Sequence, residues 1–322
     1  MAHKLGDNGF VFPESRYFTS HMSPGEPMLP TPAQVRALGH DPANPDTSST
    51  TRPPPVKIPS LSLLVKYGSQ VSIAEAECLL LVRKHLPSVP VPEVYGWCND
   101  QNQTFIYMEL VEGRTLEDAW DYISEDERIS ICSELQGMVS AWRQLSQKLF
   151  SESPYIGKSS VPWSYVLRVQ LMIEGHVGQR PLLDWIWVSS CAPTAGPFEG
   201  VCQFHDWFTT SFKRRRNHSD LPQEPHPYRA HLPDDVPIVF THADLHPSNI
   251  MISHQPPTAA RVVSVIDWQQ AGWYPAYWEY CKSRWSWSNT LRESWPDKYL
   301  PLVLEPCTHY DYWDYFVGAY GV

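Results

Sequence analysis

The sequence predicts an α+β fold of two lobes, a small strand-rich one followed by a larger, mainly helical one. Three observations carry that prediction. The 322 residues correspond to about two domains on the usual 100 to 200 residues each. Strand, helix and hairpin signatures crowd into residues 56–113, and amphipathic helical patterns dominate from residue 114 onward. With 31 prolines the chain should also be rich in irregular connections.

Residues 1–55 read as a Pro-rich N-terminal arm, extended for much of its length, with Pro53-Pro54-Pro55 near its end. One short helix is expected near 32–38, because Thr31 can cap it, Pro32 suits its first position and Gly39 can stop it. Leu61–Tyr67 is an apolar run closed by Gly68, a strand with Lys66 near its end. Ser72-Ile73-Ala74-Glu75 then has the form of a capping box, and Ile73, Ala76, Leu79, Leu80 and Leu86 follow at near-helical spacing until Pro87. Glu93–Trp97 and Thr104–Leu110 read as strands joined by a turn at Asn99–Asn102. Residues 56–113 thus make the small lobe and its hinge, the hinge being 109–113.

Residues 114–322 form the helical lobe. Ser124-Glu125-Asp126-Glu127 repeats the capping-box signature and opens a long helix whose stripe is Ile131, Leu135, Met138, Val139, Trp142 and Leu145. Residues 150–235 are broken by Pro and Gly and read only as helices joined by long loops. Val236–Thr241, Ile250–Ser253 and Arg261–Ile266 read as short strands, the first two flanking a polar loop and the third ending at Asp267. No internal repeat is visible.

A net charge of −10, from 25 Lys+Arg against 35 Asp+Glu, disfavours nucleic acid or an anionic membrane surface as partner. No apolar run reaches 18 residues and no secretory segment opens the chain, so a soluble, cytoplasmic protein is expected. Seven cysteines without a CxxC fit neither a disulfide framework nor a zinc site and are expected as reduced, packed thiols. Sequences of the form HExxH, GxSxG or GxxxxGK[ST] are absent.

The strongest chemical signal is His242-Ala243-Asp244-Leu245-His246-Pro247-Ser248-Asn249, followed by Ile266-Asp267-Trp268. Strand ends should bring Asp244, Asn249 and Asp267 near one another. Phosphoryl transfer asks for such a set: a carboxylate to orient the attacking hydroxyl and hard oxygen ligands for Mg²⁺. From Leu61 to Trp285 the sequence resembles the aminoglycoside phosphotransferase and choline-kinase-like group of small-molecule kinases. The landmarks are Leu64–Gly68, the helix holding Glu75, Val89-Pro90-Val91-Pro92, Tyr107–Gly113, the His242–Asn249 loop and Ile266-Asp267-Trp268.

The resemblance implies a bilobal, protein-kinase-like fold that uses ATP and Mg²⁺ to phosphorylate a hydroxyl of a small molecule. It implies Lys66 on the α/β-phosphates with Glu75 as its helix partner, adenine on backbone groups of Glu109 and Val111, and Asp244 as the catalytic carboxylate. Asn249 and Asp267 would hold Mg²⁺, and His242 would brace the loop through the backbone. Each role has a rival. Glu75 could close its helix end, Lys66 could snorkel to solvent, and Lys213–Arg216 could be a solvated face or an anion site. His242, Asp244 and His246 could instead ligate a transition metal in a hydrolase. The aromatic segment Trp273–Tyr280 could pack a core, or floor an acceptor pocket with Glu279.

One departure matters. No glycine lies between Gly39 and Gly68, so the phosphate-covering loop expected before the lysine strand is missing. Either Asn8-Gly9-Phe10 folds back over the site, or Lys66 and metal hold the nucleotide, or the protein is a catalytically silent binding module. The acceptor pocket is expected from residues 150–235 and 268–300. The sequence names neither the acceptor nor the oligomeric state.

Overall fold

The computed structural model describes residues 4–5, 10–13, 15, 29–41, 45–147, 158–159, 179–190, 192–212, 225–255, 258–287 and 295–322. Contacts divide the chain into two compact units. The first takes the described parts of Met1–Lys84 and Val91–Glu112, and the second those of His85–Pro90, Gly113–Ser160 and Gly175–Val322. Lys213–Arg216, Cys191, Asn8 and Gly9 lie outside the described residues, so the readings made of them stay as expectations.

Among the described residues the first unit is an antiparallel six-stranded sheet with two α-helices. Its strands are β1 (Lys4–Leu5), β2 (Val11–Phe12), β3 (Val56–Ile58), β4 (Leu63–Gly68), β5 (Val94–Asp100) and β6 (Gln103–Glu109), in the order β1-β2-β5-β6-β4-β3. The β5–β6 hairpin closes on Gln101 and Asn102, both at positive φ, as a two-residue turn with right-handed strand twist requires. Along β4 the side chains alternate: Leu63, Val65 and Tyr67 enter a core with Phe105 and Tyr107, and Lys66 takes the opposite face. Helix α1 (Pro32–Gly39) carries the expected cap, Thr31 exchanging bonds with Gln34. Helix α2 is Ala74–His85.

The described parts of the N-terminal arm contribute to the core of the sheet. Phe10, Leu29 and Val35 are buried in the same cluster as Val56, Val65 and Tyr107. Arg36 ties α1 to the hairpin through Asp100 at 2.7 Å and Gln103 at 2.7 Å. An irregular, Pro-rich segment still buries its few large apolar side chains wherever a sheet face is left open, and periodicity does not reveal that. Strands β5 and β6 stand between β2 and β4, and Phe10 packs on Tyr107 at 5.5 Å. The β1–β2 pair therefore lies at the sheet edge remote from the Lys66 strand. Deleting residues 1–40 should remove about 5–9 kcal/mol of burial from three core side chains, enough to unfold the unit. A truncated chain with the full-length melting temperature would contradict this.

The second unit is mainly helical. Helix α4 (Glu125–Arg143) follows the short α3 (Leu116–Ala119) and starts on a complete capping box, Ser124 with Glu127. Ile131, Leu135, Val139 and Trp142 are its buried stripe. A three-stranded sheet, β12-β11-β7, joins β7 (Arg114–Thr115), β11 (Ile250–Gln255) and β12 (Thr258–Val265). The outer edge of β12 is covered by carboxylates of α4: Ala260 N–H donates to Glu127 at 3.0 Å and Val262 N–H to Glu134 at 2.9 Å. Gly113, at φ +141°, enters this sheet so closely that a Cβ would lie 2.5 Å from the Ile252 carbonyl oxygen.

A second ladder pairs β10 (Ile238–Thr241) with β13 (Gly272–Pro275), a strand not foreseen from the aromatic run that contains it. A further two-residue ladder joins β8 (Lys158–Ser159) to β9 (Gln179–Arg180). Helices α5 (Trp185–Ser189), α6 (Val201–Phe208), α7 (Trp278–Trp287), α8 (Leu300–Val303) and α9 (Tyr310–Tyr320) complete the unit. Trp278 is their common centre, packing on Tyr274, Trp187, Phe204, Phe208 and Trp313 at 5.2–5.6 Å. Among the described residues no helix is long and apolar enough to cross a membrane, and no disulfide joins the described cysteines.

Candidate active site

In the first unit the lysine and the glutamate meet. Lys66 Nζ donates to Glu75 Oε1 at 2.6 Å, the glutamate only 1% exposed. The capping signature at Ser72 is thereby diverted: the Ser72 hydroxyl accepts from Ala74 N–H, and the Glu75 carboxylate reaches across to the strand. An ammonium on an otherwise apolar strand needs a carboxylate more than the helix end does, since the helix can use a hydroxyl. At the hinge, Glu109 N–H donates to Glu93 O at 2.8 Å, the Glu109 carboxylate accepts from Glu93 N–H at 3.0 Å, and Leu110 N–H donates to Ser62 O. The Glu109 charge is thus bound to backbone.

In the second unit the loop between β10 and β11 carries Asp244 and Asn249. His246, Pro247 and Ser248 give it a local frame: His246 Nδ1 accepts from Ser248 N–H at 3.2 Å and bonds its hydroxyl at 2.8 Å, capping the turn that Pro247 opens. Asn249 Nδ2 donates to the Asp244 backbone oxygen at 2.9 Å and to Asp244 Oδ2 at 3.2 Å. Both bonds use the amide hydrogens of Asn249, so its amide oxygen is not an acceptor in either of them.

His242 is fully buried. Its Nδ1 accepts from Asp244 N–H at 3.2 Å, so Nε2 carries the proton and donates to Ile266 O at 3.0 Å. Ile266 N–H in turn donates to Asn249 O at 2.9 Å. Both backbone groups of Ile266, the residue before Asp267, are therefore held by residues of the Asp244 loop. Asp267 itself is left-handed, φ 63° and ψ 55°, a conformation that the surrounding bonds must hold against its own preference. The hydrolase arrangement of His242, Asp244 and His246 does not form, because both His242 nitrogens serve the backbone and His246 Nδ1 serves Ser248. Among the described residues no group of three His, Cys, Asp or Glu side chains converges to hold a metal ion.

Of the two readings open for the aromatic segment, core packing or the floor of an acceptor pocket, Glu279 takes the first: it is wholly buried at the start of α7. Its Oε2 accepts from His242 N–H at 2.7 Å and its Oε1 from Ala243 N–H at 3.0 Å. It thus grips the two residues before Asp244, and Ala243 is left-handed at φ 61°. Burial pushes the carboxyl up to about 7, against the pull of those N–H donors and of Arg143. Burial also lowers Arg143, whose guanidinium donates to Ala276 O at 2.8 Å. The aromatic segment around Glu279 packs the core: Trp273, Tyr274 and Trp278 are 0–1% exposed. The available signal was a carboxylate set among five aromatic residues, which can be buried only with donors already waiting for it.

A model of the phosphotransferase enzyme family matches residues 68–302. Comparison with curated proteins returns no match. Among solved structures, an apo thermostable mutant of aminoglycoside phosphotransferase APH(4)-Ia is 15% identical, with a TM-score of 0.45 over 80% of this chain and 85% of that one. A further variant of that thermostable enzyme, in a ternary complex with ADP and hygromycin B, is 14% identical with a TM-score of 0.47, over 80% and 77%. The aminoglycoside-3′-phosphotransferase of type VIII is 17% identical, with a TM-score of 0.40 over 80% and 77%.

Proposed function

This chain belongs to the phosphotransferase enzyme family, and from that premise we propose that it moves the γ-phosphoryl group of ATP to a hydroxyl of a small molecule. The observation that carries the reading is the Asp244–Asn249 contact, on a loop gripped by Glu279 and His242. Transfer through a loose transition state needs position and charge more than covalent help, and a loop held at both ends provides position. Asp244 is the carboxylate that orients the acceptor hydroxyl and receives its proton.

The donor set suits Mg²⁺: hard oxygens from Asn249 and Asp267, with both loop imidazoles engaged and no thiolate in the loop. Bound there, the ion would neutralise phosphate charge. Lys66, oriented by Glu75, would meet the α/β-phosphates as a directed cation, and the Glu109 carbonyl with Val111 would receive adenine. Replacing Lys66 with Met should weaken ATP binding about tenfold to a hundredfold, the worth of one charge-assisted hydrogen bond. Calorimetry with ATP would measure it, and unchanged affinity would remove Lys66 from the site.

A second reading, a silent kinase-like binding protein, is favoured by one observation. Strand β3 ends the sheet on the Lys66 side among the described residues, and the glycine-free stretch runs into it. A screen for ATP consumption across hydroxylated metabolites, with Asp267→Ala as the blank, separates the readings. Acceptor-dependent consumption supports transfer, whereas ATP·Mg binding without consumption supports the silent module.

A further inference from the structure

Behind Asp267 lies a buried charge that the proposed reaction does not use. Lys282 on α7 is 2% exposed and Asp184, which caps α5, is 0% exposed; they pair at 2.8 Å. Asp184 is also committed elsewhere: Oδ1 accepts from Ile186 N–H at 3.0 Å and Oδ2 from Trp278 Nε1 at 3.1 Å. Lys282 extends a second bond, to Gln270 Oε1 at 3.2 Å, and the same oxygen accepts from Trp185 N–H at 2.8 Å. Gln270 closes the short turn Trp268–Gln270 that directly follows Asp267.

We propose that Lys282 is a positioning residue that holds the Asp267 turn in place through Gln270. A left-handed aspartate is strained and persists only where its neighbours over-determine it. Upstream, Ile266 is fixed by His242 and Asn249. Downstream, Trp268 Nε1 donates to Val265 O at 2.9 Å, Tyr274 hydroxyl donates to Gln270 O at 3.1 Å, and the Gln270 side chain is gripped by Lys282 and Trp185. An ion pair kept only for packing gains little over an apolar pair of the same shape. A third polar partner at hydrogen-bond distance, three residues from Asp267, gives this one a task. The inference rests on the phosphotransferase reading only in what Asp267 holds, not in how the turn is held.

The test uses the full chain with Gln270→Ala, which leaves the Asp184–Lys282 pair intact, and the double variant Asp184→Asn/Lys282→Met, which removes both charges at near-constant shape. Two readouts are taken. Amide hydrogen exchange at Trp268–Ala271 should rise at least tenfold in both variants while exchange in α4 stays unchanged. The Mg²⁺-dependent gain in ATP affinity should fall at least tenfold, with metal-free ADP affinity preserved. Unchanged exchange at Trp268–Ala271 in Gln270→Ala would overturn the proposal whatever the protein catalyses. Should the unmodified chain gain no ATP affinity from Mg²⁺, the phosphotransferase reading fails and the exchange data still decide the role of Lys282.

Discussion

Asp244→Asn is expected to lower acceptor-dependent ATP turnover by about 10²–10⁴, with nucleotide affinity and melting temperature close to those of the unmodified protein. The substitution is isosteric, and the local geometry makes it clean. Asn249 Nδ2 binds both the Asp244 backbone oxygen and Oδ2, and an amide can keep both bonds by presenting its own oxygen. The amide cannot accept the acceptor's proton. A variant that retains turnover would remove Asp244 from the chemistry. A variant that loses stability as well would recast it as part of the loop's frame.

The second large effect belongs to Glu279. In Glu279→Gln, one oxygen can still accept from a backbone N–H, but the new amide group faces the other donor. One buried N–H then loses its partner at a cost of about 1–3 kcal/mol. Because the two donors are His242 and Ala243, the residues leading into Asp244, turnover should fall about tenfold to a hundredfold through misplacement alone. A crystal structure or loop-resolved exchange in the variant would show the displacement. An unmoved loop with normal turnover would reduce Glu279 to a core residue.

Titration of this carboxyl adds a signature. Burial raises it to about 7 in the folded chain, against 4.5 when it is free. The folded state thus holds the proton more tightly than the unfolded one. The stabilisation is complete below about pH 4.5 and is lost as pH rises through about 7, a difference of roughly 3 kcal/mol. Turnover should move the opposite way, because only the carboxylate offers both oxygens to the loop. Melting temperature falling and turnover rising between pH 5 and 8, with both slopes reduced in Glu279→Gln, is the expected pattern. Burial lowers both His246 and His205, the latter to about 4, so neither imidazole supplies an inflection near 7.

Much of the site could be read without coordinates. Thr31 and Ser124 cap their helices as the spacing predicts, because a hydroxyl and a residue three positions on fall within reach of each other in any helix start. The His242–Asn249 loop is similarly local, since Pro247 and His246 set its turn within four residues. Ser72 shows where such reasoning stops. It has the same signature as Ser124, yet Glu75 serves Lys66, a partner outside the helix. The Pro-rich arm shows the same limit for apolar groups: nothing in its texture announces that Phe10, Leu29 and Val35 complete a sheet core.

The order of residues along this chain determined which groups are available for chemistry and the local turns that present them, since both depend on side-chain type and on contacts a few residues away. Tertiary structure alone decided which partner each buried charge takes. Glu279 lies 36 and 37 residues beyond the N–H groups it receives, and Lys282 lies 98 residues beyond Asp184. The reason is energetic: a charge removed from water must find its donors or counter-charge wherever the fold supplies them, and no short-range pattern records that place.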